Sequence, residues 1–141
     1  MIRLAAIDHV VLRVRDMDRM IRFYGDVLGA HEERRIEELG LVQLRAGASL
    51  LDLVDVNGAL GRQGGAAPGA GGRNLDHLCF RLEEWDEAAI IRQLGEHGLT
   101  GIEVGRRYGA QGFGPSIYIS DPEGNQLELK GPPEAGVDEN G

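Results

Sequence analysis

The stretch IDHVVLRV, residues 7–14, comes back as LDHLCFRL, residues 75–82, with histidine to histidine spaced 77 − 9 = 68 residues. Both copies alternate side chains with period two, as a β-strand with one face on a core does. Each sets a histidine near its start and an arginine four residues later. A chain that writes one strand twice predicts a duplicated unit, and the flanking sequence bears on this directly.

After the first copy, Asp16 is placed to cap a helix, and Met17, Met20, Ile21, Tyr24 and Leu28 recur at helical spacing before Gly29. Strand patterns follow near residues 33–37, in LVQLRAG (41–47) and in ASLLDLVDV (48–56). After the second copy, Trp85, Ala88, Ile91 and Leu94 predict a helix that ends near Gly98. GIEVGRR (101–107), SIYISD (116–121) and NQLELKG (125–131) predict strands, with DPEGN (121–125) as the turn between the last two. The reading is an α+β chain of two βαβββ modules. One domain spans residues 5–130: module one 5–57, a linker 58–73 and module two 74–130. An acidic tail, 131–141, is expected to fray. The linker holds GALGRQGGAAPGAGG (58–72), which has no apolar period and reads as a flexible connector. It lacks the lysine of a phosphate loop and any GxGxxG between a strand and a helix.

Bulk properties narrow the function. The 141 residues carry a net charge of −8 and a sequence pI near 4.9. That disfavours nucleic acid and anionic membrane surfaces, which need a cationic face. A single cysteine, Cys79, rules out an internal disulfide and a thiolate zinc cluster. The opening MIRLAAIDHV has no long apolar run, so neither a signal peptide nor a membrane span is expected, and a cytoplasmic location follows.

Alternation sorts the polar side chains. Val10, Leu12 and Val14 share the face that should meet the helix, and His9, Val11 and Arg13 share the other. In the second copy Leu78, Phe80 and Leu82 go one way, and His77, Cys79 and Arg81 the other. On the last strand of each half, Asp52 stands opposite Leu51 and Leu53, and Glu128 opposite Leu127 and Leu129. Each half therefore offers one imidazole and one carboxylate from non-helix faces. An N₂O₂ set from His9, Asp52, His77 and Glu128 suits Ni, Zn, Mn, Fe or Co, and leaves an octahedral ion two open positions. Taken singly, each residue has a plainer account: a hydrogen-bonded surface histidine, an edge charge at Asp52, a solvated Glu128. The pairing is what points to a metal.

The motifs DHVVLRVRDMDRMIRFYGDVLG (8–29) and SIYISDPEGNQLELKG (116–131) resemble the vicinal oxygen chelate superfamily, the glyoxalase/bleomycin-resistance/extradiol-dioxygenase group. The resemblance runs from residue 7 to residue 130 apart from the glycine linker. It implies a curved mixed β-sheet forming a cleft, the glyoxalase-like fold. It implies a divalent metal on His9, His77 and Glu128. The remaining ligand position falls on Asp52, where glyoxalases carry Glu and some relatives His or Gln. It also implies a small-molecule substrate held through adjacent oxygens, and a site completed either within one chain or across a homodimer. In glyoxalase-type relatives the ion stabilises an enediolate while a carboxylate beside it moves the proton α to a carbonyl. By resemblance Glu128 is the base and Asp52 its partner. Arg13, on the face of His9, is placed to hold a substrate carboxylate, or else to pair with a local acid. The expected activity is a metal-dependent lyase or isomerase of glyoxalase type.

Three alternatives stay open. YISDPEGNQLE (118–128) fits half of the extradiol dioxygenase signature, but no histidine precedes Tyr118 in RRYGAQGFGPSIY; Gln111 is nearby. Bleomycin-binding relatives use no metal and have an acidic crevice, which suits the pI but not the two histidines. Fosfomycin-modifying relatives use His, His and Glu. Elsewhere, Cys79 reads as a small buried filler, and His31 and His97 as residues that follow helix ends. Phe113, in the Gly-rich AQGFGP, is expected on a loop that could cover a substrate.

Overall fold

The computed structural model describes residues 1–135 and divides into two compact units, residues 1–74 and residue 75 onward. Each is a βαβββ module with its own four-stranded mixed sheet.

In the first unit the elements are β1 (His9–Val14), α1 (Met17–Asp26), β2 (His31–Ile36), β3 (Leu41–Ala46) and β4 (Ser49–Asp55), with sheet order β1-β4-β3-β2. The β1–β4 pair is parallel and the others antiparallel, so the connection from β1 to β4 spans a helix and a meander. Asp16 caps α1 as expected, its Oδ1 accepting from the Arg19 amide at 3.1 Å. Met20 and Tyr24, one turn apart, are completely buried. They lie in the same core as Leu44 and as Leu12, Val14, Leu51 and Leu53, inward positions that alternation selects. Truncating either to Ala should cost about 2–5 kcal/mol.

The glycine stretch after β4 is not a loose tether. It holds a 3₁₀ turn (Gly61–Gly64) and a Gly69–Gly72 bridge. Arg13 donates to the carbonyls of Gly61 (3.0 Å), Gly65 (2.7 Å) and Ala66 (3.0 Å). Its backbone amide donates to Asn74 Oδ1 at 3.1 Å. Glycine is required here by close approach: a Cβ on Gly61 would lie 1.8 Å from the Asp55 oxygen, and one on Gly64 2.5 Å from Arg13 Nε.

The second unit repeats the plan with β5 (Leu78–Arg81), α2 (Glu87–Glu96), β6 (Glu103–Gly109), β7 (Gly112–Ser120) and β8 (Gln126–Lys130), in order β5-β8-β7-β6. Helix α2 begins two residues after Trp85, because Asp86 caps it through the Ala89 amide at 3.1 Å. Ala88 is exposed and Leu94 buried. The DPEGN turn forms as read: Asp121 Oδ1 accepts from the amides of Glu123 (2.9 Å) and Asn125 (3.0 Å).

Two further readings differ. The stretch taken as a loop around Phe113 is strand: Gly109 pairs with Gly112 and Tyr108 with Phe113, leaving Ala110 and Gln111 as a two-residue hairpin turn. The tail is tied down at its start, where the Gly131 amide donates to Pro115 O and the Glu134 amide to Phe113 O, both at 2.9 Å. The remainder of the expected tail, residues 136–141, lies outside the described residues. No described helix is long and apolar enough to cross a membrane.

Candidate functional site

Parallel pairing sets the same arrangement in each unit. Val11 pairs with Asp52 on β1–β4, and Cys79 pairs with Glu128 on β5–β8. The histidine two residues before Val11 or Cys79 therefore lies on the carboxylate's face in both units. Both carboxylates are buried, Asp52 4% and Glu128 6% exposed. Both imidazoles reach solvent.

Each imidazole is oriented by the residue before it. His9 Nδ1 lies 2.7 Å from Asp8 Oδ1, and His77 Nδ1 lies 2.7 Å from Asp76 Oδ1. With Nδ1–H given to a carboxylate, the neutral ring turns the lone pair of Nε2 outward, the usual preparation of a metal-binding histidine. The Asp8 carboxylate, through that bond, and then the charge of Asp52 hold His9 above the ordinary histidine pKa of 6.5.

In the second unit His77 Nε2 stands 3.3 Å from Glu128 Oε1. Two ligand atoms each about 2.1 Å from one ion are about 3.0 Å apart at a right angle and about 3.4 Å apart at the tetrahedral angle. The observed gap falls between these, so the pair fits a shared cation without rearrangement. The other carboxylate oxygen is fixed: Ser116 Oγ donates to Glu128 Oε2 at 2.6 Å. Tyr118 pairs with Glu128 across β7–β8, and burial, then the Glu128 charge, raise its phenol pKa. Arg107 opposes this, with its guanidinium carbon 5.6 Å from the ring centroid. Burial around its sulfur, and then Glu128, push the Cys79 thiol up to about 11, although the residue is exposed overall.

In the first unit Gln43 fills the position of Tyr118. Its Nε2 donates to both oxygens of Asp52, at 3.2 and 3.1 Å. The four expected ligands thus form two pairs, one in each unit. Among the described residues no three His, Cys, Asp or Glu side chains gather as a metal-holding group. Arg13 does not stand free beside His9; its guanidinium is spent on linker carbonyls, a competing use that strand alternation cannot reveal. Phe113 lies on β7, two residues past the hairpin turn, and not on a loop. Sequence reading passed over Asp8, Asp76, Gln43 and Ser116. The doubled Asp-His step in the two strand copies was a signal for the first two.

Comparison with known proteins agrees with the fold. Residues 6–129 match the family described as Glyoxalase/Bleomycin resistance protein/Dioxygenase superfamily, and the chain belongs to it. The chain is 30% identical over 131 residues to the glyoxalase domain-containing protein RDO1 of Mycosarcoma maydis, an alignment covering 88% of this chain and 66% of that protein. It is 28% identical to the virulence protein STM3117 of Salmonella typhimurium, whose crystal structure superposes with a TM-score of 0.77 over 93% of this chain and 99% of that one. A lactoylglutathione lyase from Agrobacterium tumefaciens, 23% identical, shares the fold with a TM-score of 0.65 over 95% and 98% of the two chains.

Proposed function

We propose that the chain is a divalent-metal-dependent lyase or isomerase of glyoxalase type, with His9, Asp52, His77 and Glu128 as the metal's protein ligands. The observation that supports this is the approach of His77 Nε2 to Glu128 Oε1 at 3.3 Å, with each side chain already held from its far side by Asp76 and Ser116. Two lone-pair donors so oriented need a cation between them, either a proton or a metal. The bound ion, one of Ni, Zn, Mn, Fe or Co, supplies Lewis acidity toward adjacent substrate oxygens.

The remaining work falls to this chain's own groups. Glu128 takes the proton from the carbon α to a carbonyl and returns it to the neighbouring carbon. Ser116 orients that carboxylate through its hydrogen bond to Oε2. Asp52, held by the neutral amide of Gln43, keeps lone pairs for a cation. Asp8 and Asp76 hold the two rings in the tautomer that leaves Nε2 free.

The test is a titration of protein purified without metal or a metal-affinity tag, using Ni, Zn, Mn and Fe in turn. Tight binding that His9→Ala abolishes and His31→Ala leaves intact is expected. Binding by no ion would overturn the enzyme reading in favour of a metal-free binding protein. Turnover of methylglyoxal with glutathione, beside catechols and fosfomycin, assigns the reaction; oxygen uptake with a catechol would make it a dioxygenase.

A further inference from the structure

Lys130, the last residue of β8, is only 7% exposed, and its Nζ is buried with no hydrogen-bond partner among the described residues. Placing an ammonium out of water without a partner is costly, and folded chains rarely keep one without a use. The site around it is shaped for the side chain. A Cβ on Gly109 would come within 2.9 Å of Lys130 Cε, and one on Gly114 within 3.3 Å of Nζ, so two glycines leave the room it occupies.

A second cation stands beside it. Arg81 pairs in register with Lys130 on the parallel β5–β8 ladder. Like charges set across adjacent strands repel, unless an anion lies between them. Lys130, Arg81, Cys79, Tyr108, His77 and Glu128 all line one cavity of about 260 Å³, room for a small organic acid and less than a drug-sized ligand needs. The first unit has no counterpart, since Val54 holds the position of Lys130 opposite Arg13.

We propose that Lys130 and Arg81 form an oxyanion subsite beside the His77–Glu128 pair, and that the substrate is a small acid whose carboxylate or phosphate sits there. The placement beside a metal rests on the function proposed above; the anion site itself does not. Lys130 supplies the buried charge, and Arg81 supplies a planar fork at the cavity mouth. The neighbouring Glu128 repels a second anion, which directs the oxyanion end of the substrate toward Lys130.

The experiment uses metal-free, ¹⁵N-labelled protein titrated with inorganic phosphate, with pyruvate and with neutral hydroxyacetone, reading amide shifts on β5 and β8. Saturable shifts are expected with at least one anion and none with hydroxyacetone; which anion binds tells phosphate from carboxylate. Lys130→Met, close in length and uncharged, should weaken that binding at least tenfold, and Arg81→Gln about threefold. The anion should also raise the melting temperature of the wild type and not of Lys130→Met. Absence of shifts with both anions, or equal affinity in Lys130→Met, overturns the proposal. If Lys130→Met fails to fold, unchanged binding by Arg81→Gln does so instead. Metal titrations of the same samples separate the two readings: metal without anion binding ends this one alone, and anion without metal binding ends the other.

Discussion

Ser116 Oγ donates a 2.6 Å hydrogen bond to Oε2 of Glu128, and both residues are buried on facing strands. Ser116→Ala leaves one carboxylate oxygen buried without its donor. A loss of about 1–3 kcal/mol in unfolding free energy is expected, read by denaturant titration. Metal affinity should fall about 10- to 100-fold, as for other groups that orient a ligand. Unchanged affinity would remove Ser116 from any orienting role.

Asp52 carries a separate prediction. Asp52→Ala should weaken metal binding at least tenfold if its carboxylate is a ligand, and should leave Gln43 without its acceptor. Calorimetry of Asp52→Ala beside Glu128→Ala counts the carboxylates on the ion. Equal affinity in Asp52→Ala and wild type would reduce the set to His9, His77 and Glu128.

His9 gives a pH dependence. Its pKa in the folded chain is raised above 6.5, first by Asp8 and then by Asp52, so the protonated ring favours the fold. That contribution is complete below 6.5 and is lost as pH rises through the higher folded value. Metal binding runs the other way, since the ion competes with the proton. Affinity should therefore climb with pH through a midpoint above 6.5, and Asp8→Ala should move the midpoint down. NMR titration of the His9 ring checks the first statement, and metal titration across pH checks the second.

Cys79 should be a slow nucleophile despite its exposure. With its thiol held at about 11, against 9.0 for an unperturbed one, iodoacetamide at pH 8 should modify it tens of times more slowly than free cysteine. The rate should keep rising with pH toward that value. A plateau near pH 9 would show that Glu128 and burial do not act on it.

The clasp between Arg13 and the linker predicts stability effects far from any chemistry. Arg13→Met removes three donors to backbone carbonyls and should cost about 2 kcal/mol. Cleavage by added protease should appear first within residues 61–66. Gly61→Ala, which must displace the Asp55 backbone, should cost more.

What the sequence determined by itself is the frame and the face. Period-two alternation is a local property of the strand, so His9, Asp52, His77 and Glu128 could be sorted to one side of each module without coordinates. The Asp16 cap, the DPEGN turn and the repeat are equally local. Pairing register is not local. It joins Arg81 to Lys130 and Cys79 to Glu128 across 49 residues, and only the folded sheet makes those neighbours. Burial is decided there too: Lys130 looks like a solvated strand end in NQLELKG, and becomes an enclosed charge once β7 and the 109–112 hairpin lie over it. Arg13 shows the same limit. Its strand face was readable, but the direction of its long side chain was fixed by three carbonyls some 50 residues away, which its terminal nitrogens reach only once the chain is folded.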